Sequence, residues 1–195
     1  MMFESSALTW DFSVGAMSDS PSDLHRRRRA AVVSAAFMVA APGVVTGLVP
    51  WLLTRWKVHR PVPGGVPVRV LGVGMIAAGG AVLTHSFARF VVEGLGTPLP
   101  AAPTRHLVVG GMYRHVRNPM YVALEVMILG QALVLGQRRL LGYAAIAAIP
   151  PVLFVRIYEE PKLAASFGAE YEQYCRYVPR WLPRMRPWQP DATAG

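Results

Sequence analysis

The chain has 195 residues, of which 53% are apolar and 16% charged, and a formal net charge of +9. So much apolar surface with so few charges, at a mean hydropathy of +0.32, argues against a soluble globule and for a membrane protein. A single cysteine, Cys175, excludes an internal disulfide and any multi-cysteine metal site; His25, His59, His85 and His106 show no ligand spacing, so no metal is expected.

Residues 1–29 end in four consecutive arginines and are predicted to form a disordered basic tail ahead of a single membrane domain, 30–188. Residues 30–53 carry no charge, and at about 1.5 Å per residue they can cross about 30 Å of hydrocarbon. The run is too long for a signal-peptide core and has no cleavage site, which predicts a retained helix. A second run, 70–92, is interrupted only by His85 and Arg89. Gly43 with Gly47, and Gly74 with Ala78, have the four-residue spacing that lets helices approach closely in lipid. Residues 72–77 formally match G-x-G-x-x-A, but inside a membrane run, with no preceding strand, they are not a dinucleotide fingerprint.

Two shorter runs, 120–136 and 140–157, are joined by Gln137, Arg138 and Arg139, which predicts a tight helical hairpin. Its antiparallel arms would bring Tyr121 to the same membrane surface as Tyr158, Glu159 and Glu160. Pro161 is expected to stop the helix there, leaving two carboxylates at a C-terminus where the macrodipole disfavours them. Beyond it, Leu163, Phe167, Tyr171, Tyr174 and Val178 recur at helical spacing up to Pro179, the pattern of an amphipathic helix on the membrane surface. Residues 176–188 interleave arginine with Trp181 and Trp188, which reads as interfacial anchoring beside anionic lipid, so nucleic acid is not the expected partner. Residues 189–195 are expected to be a disordered tail.

The predicted fold is therefore all-α: an integral membrane bundle of about four transmembrane helices, with a C-terminal hairpin and a cytoplasmic amphipathic helix. The terminal basic tracts, with Arg105, Arg114 and Arg117, outweigh Arg55, Lys57, Arg60, Arg69, Arg138 and Arg139 on the other side. Both termini are accordingly expected in the cytoplasm, in a multi-pass protein of an inner or plasma membrane.

Chemistry concentrates in YRHVRNPMYVALE, residues 113–125. Asn118 and Pro119 suit a helix N-cap and first turn. A helix start does not require Tyr113, Arg114, His115 and Arg117 in front of it, nor Glu125 one turn beyond Tyr121. A carboxylate at that depth is costly unless paired, so Glu125 is either a functional group or half of an ion pair.

GGMYRHVRNPMYVA, followed about 40 residues later by YEEPKLAASFGAEYEQYCRYVPRWLP, resembles the isoprenylcysteine carboxyl methyltransferases and related phospholipid methyltransferases. The resemblance covers about 96–183. It implies an all-helical membrane enzyme using S-adenosylmethionine, with the cofactor held in this half of the chain. The family's R-H-P-x-Y-x-G motif corresponds to Arg117, Asn118, Pro119, Tyr121 and Ala123, and its paired glutamates to Glu159 and Glu160. Asn118 replaces a histidine and Ala123 a glycine; Asn118 can still donate and accept hydrogen bonds but does not titrate.

On this resemblance Glu159 or Glu160 would bind the ribose hydroxyls or ammonium of the cofactor. Arg114 or Arg117 would hold its carboxylate, and Tyr113 and Tyr121 would stack on adenine or face the sulfonium. Arg180 is the candidate to orient an acceptor carboxylate, and Glu160 or Glu125 the candidate base for an amine or thiol. The expected partners are the lipid bilayer and a lipophilic acceptor: an isoprenylcysteine-like carboxylate, a lipid amine, or a small hydrophobic thiol or amine. The alternative is a non-catalytic membrane binding or scaffold protein that retains the fold.

Overall fold

The computed structural model describes residues 40–59, 64–94 and 107–189. The two predicted tails, apart from Gln189, the start of the first apolar run and most of the connection before the YRH segment lie outside the described residues. Within them the regular structure is entirely helical: α1 (Ala40–Thr54), α2 (Gly65–Gly94), α3 (Pro119–Leu135) and α4 (Arg138–Tyr177), with a 3-10 turn at Gly111–Arg114.

Two of these helices, α2 and α4, are long and apolar enough to cross a membrane; their most apolar stretches are only 11% and 17% buried, so they are not the core helices of a soluble protein. α4 is kinked at Gly168 (φ 49°, ψ -124°); its stretch before the kink, 138–167, would run about 45 Å, longer than the hydrocarbon layer, so only part of the helix fits in it. Between α3 and α4 the chain turns within two residues, with Gly136 in the left-handed conformation (φ 65°) closing α3.

The tightest helix contact is between α2 and α3. A Cβ on Gly72 would sit 2.7 Å from the Gly130 carbonyl oxygen, and one on Gly130 would sit 2.7 Å from that of Gly72. Seven residues along, Gly79 meets the Ala123 carbonyl in the same way, at 2.9 Å. Gly72 and Gly79 thus run antiparallel to Gly130 and Ala123, backbone against backbone. This corrects the expectation for Gly43, Gly47 and Gly74, where an added Cβ would meet nothing within 4 Å among the described residues. Gly74 is about 200° around the helix from Gly72 and so faces away from α3.

Prolines shape α1 and α4 alike. Pro50 has no N–H, so the Thr46 carbonyl lacks its usual donor four residues on. The Val49 N–H turns to Val44 instead, forming a π-turn over Val44–Leu48 and leaving the Val45 carbonyl without its α-helical donor. Side chains replace both: Gln131 Nε2 donates to Thr46 O at 2.7 Å, and Tyr143 Oη to Val45 O at 2.9 Å. Lipid offers these carbonyls no hydrogen bond of its own. Gln131→Leu is therefore expected to lower stability by about 1 kcal/mol, read as a lower thermal midpoint in detergent. An unchanged midpoint would mean that the Thr46 carbonyl does not depend on Gln131.

The same device corrects the reading of Pro161. The Glu160 N–H bonds to Val155 O, forming a second π-turn over Val155–Glu159. Pro161 then falls in the first turn of the segment Glu160–Tyr177, which is itself kinked at Gly168, and in that first turn no N–H is needed. The helix continues through the proline, so Glu159 and Glu160 lie within α4 and face no unfavourable helix end.

Candidate functional site

The site is assembled at the N-terminal end of α3. Gly111 takes a left-handed conformation (φ 56°), and a Cβ there would collide with His85 Nε2 on α2, so the turn needs glycine. It delivers residues 114–118 across the start of α3, where a C-terminal strap, residues 178–188, binds them. Arg117 N donates to Pro179 O (2.9 Å), Arg184 N to His115 O (3.0 Å) and Trp188 N to Arg114 O (3.0 Å). Two side chains add to these: Asn118 Nδ2 donates to Arg180 O (3.1 Å), and His115 Nδ1 to Arg184 O (2.8 Å). The His115 bond to a carbonyl requires that Nδ1 carry the proton. Asn118 stands at the N-cap position but makes no side-chain cap bond; its amide holds the strap instead.

Beneath the strap lies an apolar cluster of Tyr171, Tyr174, Val178 and Trp188, with Leu163 and Phe167 packed on it. These are the residues whose helical spacing predicted an amphipathic helix. Tyr174 Oη donates to Tyr113 O at 2.7 Å, fastening the cluster to the turn before α3. Trp188 is only 6% exposed: it is a core residue and not the interfacial anchor expected of it, because the chain reverses after Pro179 and folds the indole back onto Tyr174, with ring centroids 5.6 Å apart.

This arrangement brings Arg180 and Arg117 to the same carboxylate. Glu160 Oε1 accepts from Arg117 Nη1 at 2.9 Å and from Arg180 Nε at 2.7 Å, while Oε2 accepts from Arg180 Nη2 at 2.7 Å. The Arg180 contact is thus bidentate, and hydrogen bonding to Glu160 pushes the guanidinium pKa further above its ordinary value. Arg117 Nη1 also lies 2.8 Å from Cys175 Sγ. The three side chains hold one positive charge in excess.

Among the described residues Glu159 Oε2, Arg114 Nε and Arg117 Nε are buried without a hydrogen-bond partner, as are Arg69 Nε, Ser86 Oγ and Trp188 Nε1. Buried polar atoms are usually satisfied, which makes the first three, on the segments that carry the triad, candidate contacts for a polar ligand. Tyr121, half-buried, packs its ring against Trp181 at a centroid distance of 6.4 Å.

Of the predicted site residues, the fold joins Arg117, Asn118, Glu160 and Arg180 through direct bonds, with Glu159 next in sequence to Glu160. Tyr113 and Pro119 are buried. Arg180 is engaged by Glu160, and Glu160 is occupied by two arginines. Glu125, half-buried in α3, makes no hydrogen bond to the cluster. An apolar cleft of about 300 Å³, lined by Thr46, Ile76, Met127, Gln131 and Leu135 among others, lies towards the other end of α3 and contains no titratable group.

Sequence reasoning missed Cys175 and the strap carbonyls at Pro179, Arg180 and Arg184. The signal available for the first was position: Cys175 is four residues after Tyr171 and one turn before Pro179, on the buried side of the helix. Backbone acceptors leave no such trace, since every residue type carries a carbonyl.

The described residues thus combine helices of membrane length with an arginine–glutamate cluster at the head of a helical hairpin. Residues 68–170, slightly more than half of the chain, match the model of the phospholipid methyltransferase family, and the chain belongs to that family. The match includes Arg117 and Glu160 but ends before Cys175, Arg180 and the strap. A Delta(14)-sterol reductase of the mouse, Mus musculus, is 33% identical over 89 residues, which are 45% of this chain and 21% of that protein. The chain thus spans about a fifth of the length of that curated relative.

Proposed function

We propose that the protein transfers a methyl group from S-adenosylmethionine to a lipophilic acceptor entering from the bilayer. The observation that carries this reading is a set of buried, unpartnered polar atoms on the segments that carry the triad: Glu159 Oε2 suits the cofactor's ammonium or ribose hydroxyls, and Nε of Arg114 and of Arg117, whose Nη1 is already bonded to Glu160, suit its carboxylate. Tyr121 and Trp181 supply aromatic surface beside them. When bound, the cofactor supplies a methyl group already activated on a sulfonium, so no covalent nucleophile is needed from the protein. What the chain contributes is positioning and exclusion of water.

Within that division of labour Glu160 is a positioning residue, because its carboxylate already accepts three hydrogen bonds from Arg117 and Arg180. Glu159 is the carboxylate left for ligand. The proposed setting is a single membrane domain over 30–188, with α1 to α4 forming about four crossings, the cofactor half within 96–183 and both termini in the cytoplasm. The acceptor classes remain a carboxylate on a prenylated cysteine, a lipid amine, or a small hydrophobic thiol or amine.

Calorimetric titration of S-adenosylmethionine and S-adenosylhomocysteine into the protein in nanodiscs tests this reading. Glu159→Gln should weaken binding about 10- to 100-fold, the scale of one hydrogen bond to a charged group, while the thermal midpoint stays near that of the wild type. Failure of the folded wild type to bind either compound would overturn the reading. The reductase match favours one second possibility, reduction of a sterol-like lipophile. Binding of a reduced nicotinamide dinucleotide in place of S-adenosylmethionine would select it.

A further inference from the structure

The strap carries two large apolar side chains that little among the described residues covers: Leu182 is 81% exposed and Met185 94%. They alternate with arginines, and residues 173–189 include Arg176, Arg180, Arg184 and Arg186 but no acidic residue. Arg180 is held by Glu160, and Arg184 Nη1 donates to Tyr177 O at 2.7 Å, which leaves the exposed Arg176 and Arg186 as the outward charges. The level of the strap is fixed by its partners. It is hydrogen-bonded to residues 114–118, immediately before Pro119, where the apolar run of α3 begins. An exposed apolar and basic segment at the end of an apolar helix has the composition of a bilayer interface, with hydrocarbon below and lipid phosphates alongside.

We infer that the strap is a membrane-surface wedge: Leu182 and Met185 insert into the bilayer that holds α3, and Arg176 and Arg186 pair with anionic lipid phosphates. The inference rests on the membrane reading and not on the identity of the cofactor. It has a consequence for the site, because the strap that touches lipid also presents Arg180 to Glu160 and its carbonyl to Asn118. Lipid that holds the wedge in place holds the second arginine of the triad in place.

A fluorophore on Met185→Cys in a Cys175→Ser background, reconstituted into nanodiscs, measures this directly. The probes are phosphatidylcholine alone and phosphatidylcholine with about a third phosphatidylglycerol, each with bromine on the upper acyl chain. The expected result is quenching by the brominated lipid that is strengthened by phosphatidylglycerol and reduced by Arg186→Glu. Leu182→Ser, at an exposed position, should reduce the quenching without lowering the thermal midpoint. Absence of quenching overturns the inference, as does quenching that neither the anionic lipid nor Arg186→Glu alters. Shielding of the probe that instead grows with protein concentration in micelles would assign the wedge to a second copy of the chain, and overturns it equally.

Discussion

Glu160→Gln should lower both stability and activity, and by more than any other single change in the charged cluster. The wild-type carboxylate is the common acceptor of Arg117 and of both forks of Arg180, with side-chain exposures of 17%, 14% and 30% for the three residues. The amide keeps one acceptor oxygen and replaces the other with a donor aimed at a guanidinium, so the bidentate contact fails and two cations face each other uncompensated. Breaking a fully buried pair in this way costs about 3–5 kcal/mol. Partial exposure screens the triad, and about 2 kcal/mol is the expected loss, together with at least about tenfold in methyl transfer or ligand binding. Arg180→Lys is the companion variant, since it keeps the charge but cannot make the parallel two-bond contact; its effects should go in the same direction and be smaller. Thermal melts in nanodiscs beside ligand titrations read both quantities. A Glu160→Gln protein that melts with the wild type would show that the triad is solvated surface charge and that Glu160 positions nothing.

Gly130→Leu should prevent the helices from assembling. The Cβ alone would lie 2.7 Å from the Gly72 carbonyl oxygen, 2.9 Å from Ile76 Cγ1 and 3.1 Å from Met75 Cβ. The nearest of these atoms is backbone, which cannot rotate aside, so α2 and α3 must separate along their length. Overpacking a core commonly costs about 1–3 kcal/mol, and the longer side chain here adds to a contact already closed at its first carbon. Loss of monodisperse, cooperatively melting protein is the expected outcome, by size-exclusion chromatography and thermal denaturation. Gly74→Leu serves as the control: an added Cβ there would meet nothing within 4 Å among the described residues, and its side chain would point away from α3. Equal behaviour of the two variants would mean that the Gly72–Gly130 approach does not hold the helices together.

These two sites show what can be read from a sequence and what cannot. The α3–α4 hairpin was legible because two apolar runs joined by only Gln137, Arg138 and Arg139 leave few alternatives, and the hairpin is what carries Arg117 to Glu160. The amphipathic face of Leu163, Phe167, Tyr171, Tyr174 and Val178 was legible for the same reason, being a periodicity of the helix itself. Which glycines pack was not, because that depends on where the neighbouring helix lies: Gly74 and Ala78 satisfy the spacing rule, but Gly72 and Gly79 face α3. The continuation through Pro161 was hidden too, since the local rule for proline assumes α-type bonding, and a π-turn upstream changes which N–H is needed. At the site, residue types identified Arg117, Glu160 and Arg180 as chemically capable. Only the fold shows that Glu160 accepts hydrogen bonds from both arginines at once.

The closure of the cluster by residues 178–188 sets an order on biosynthesis. Asn118 and Arg180 are 62 positions apart, so α3 and α4 are both synthesised before the arginine that completes the triad. Helix synthesis and site formation are thereby separated in time. A chain interrupted between Tyr177 and Arg180 would still present α1 to α4 to the lipid, while Glu160 would hold only Arg117 and Trp188 would be missing from beneath Arg114. Such a product would keep its membrane helices and lack the second arginine of the triad, so the two halves of the architecture are separable by truncation.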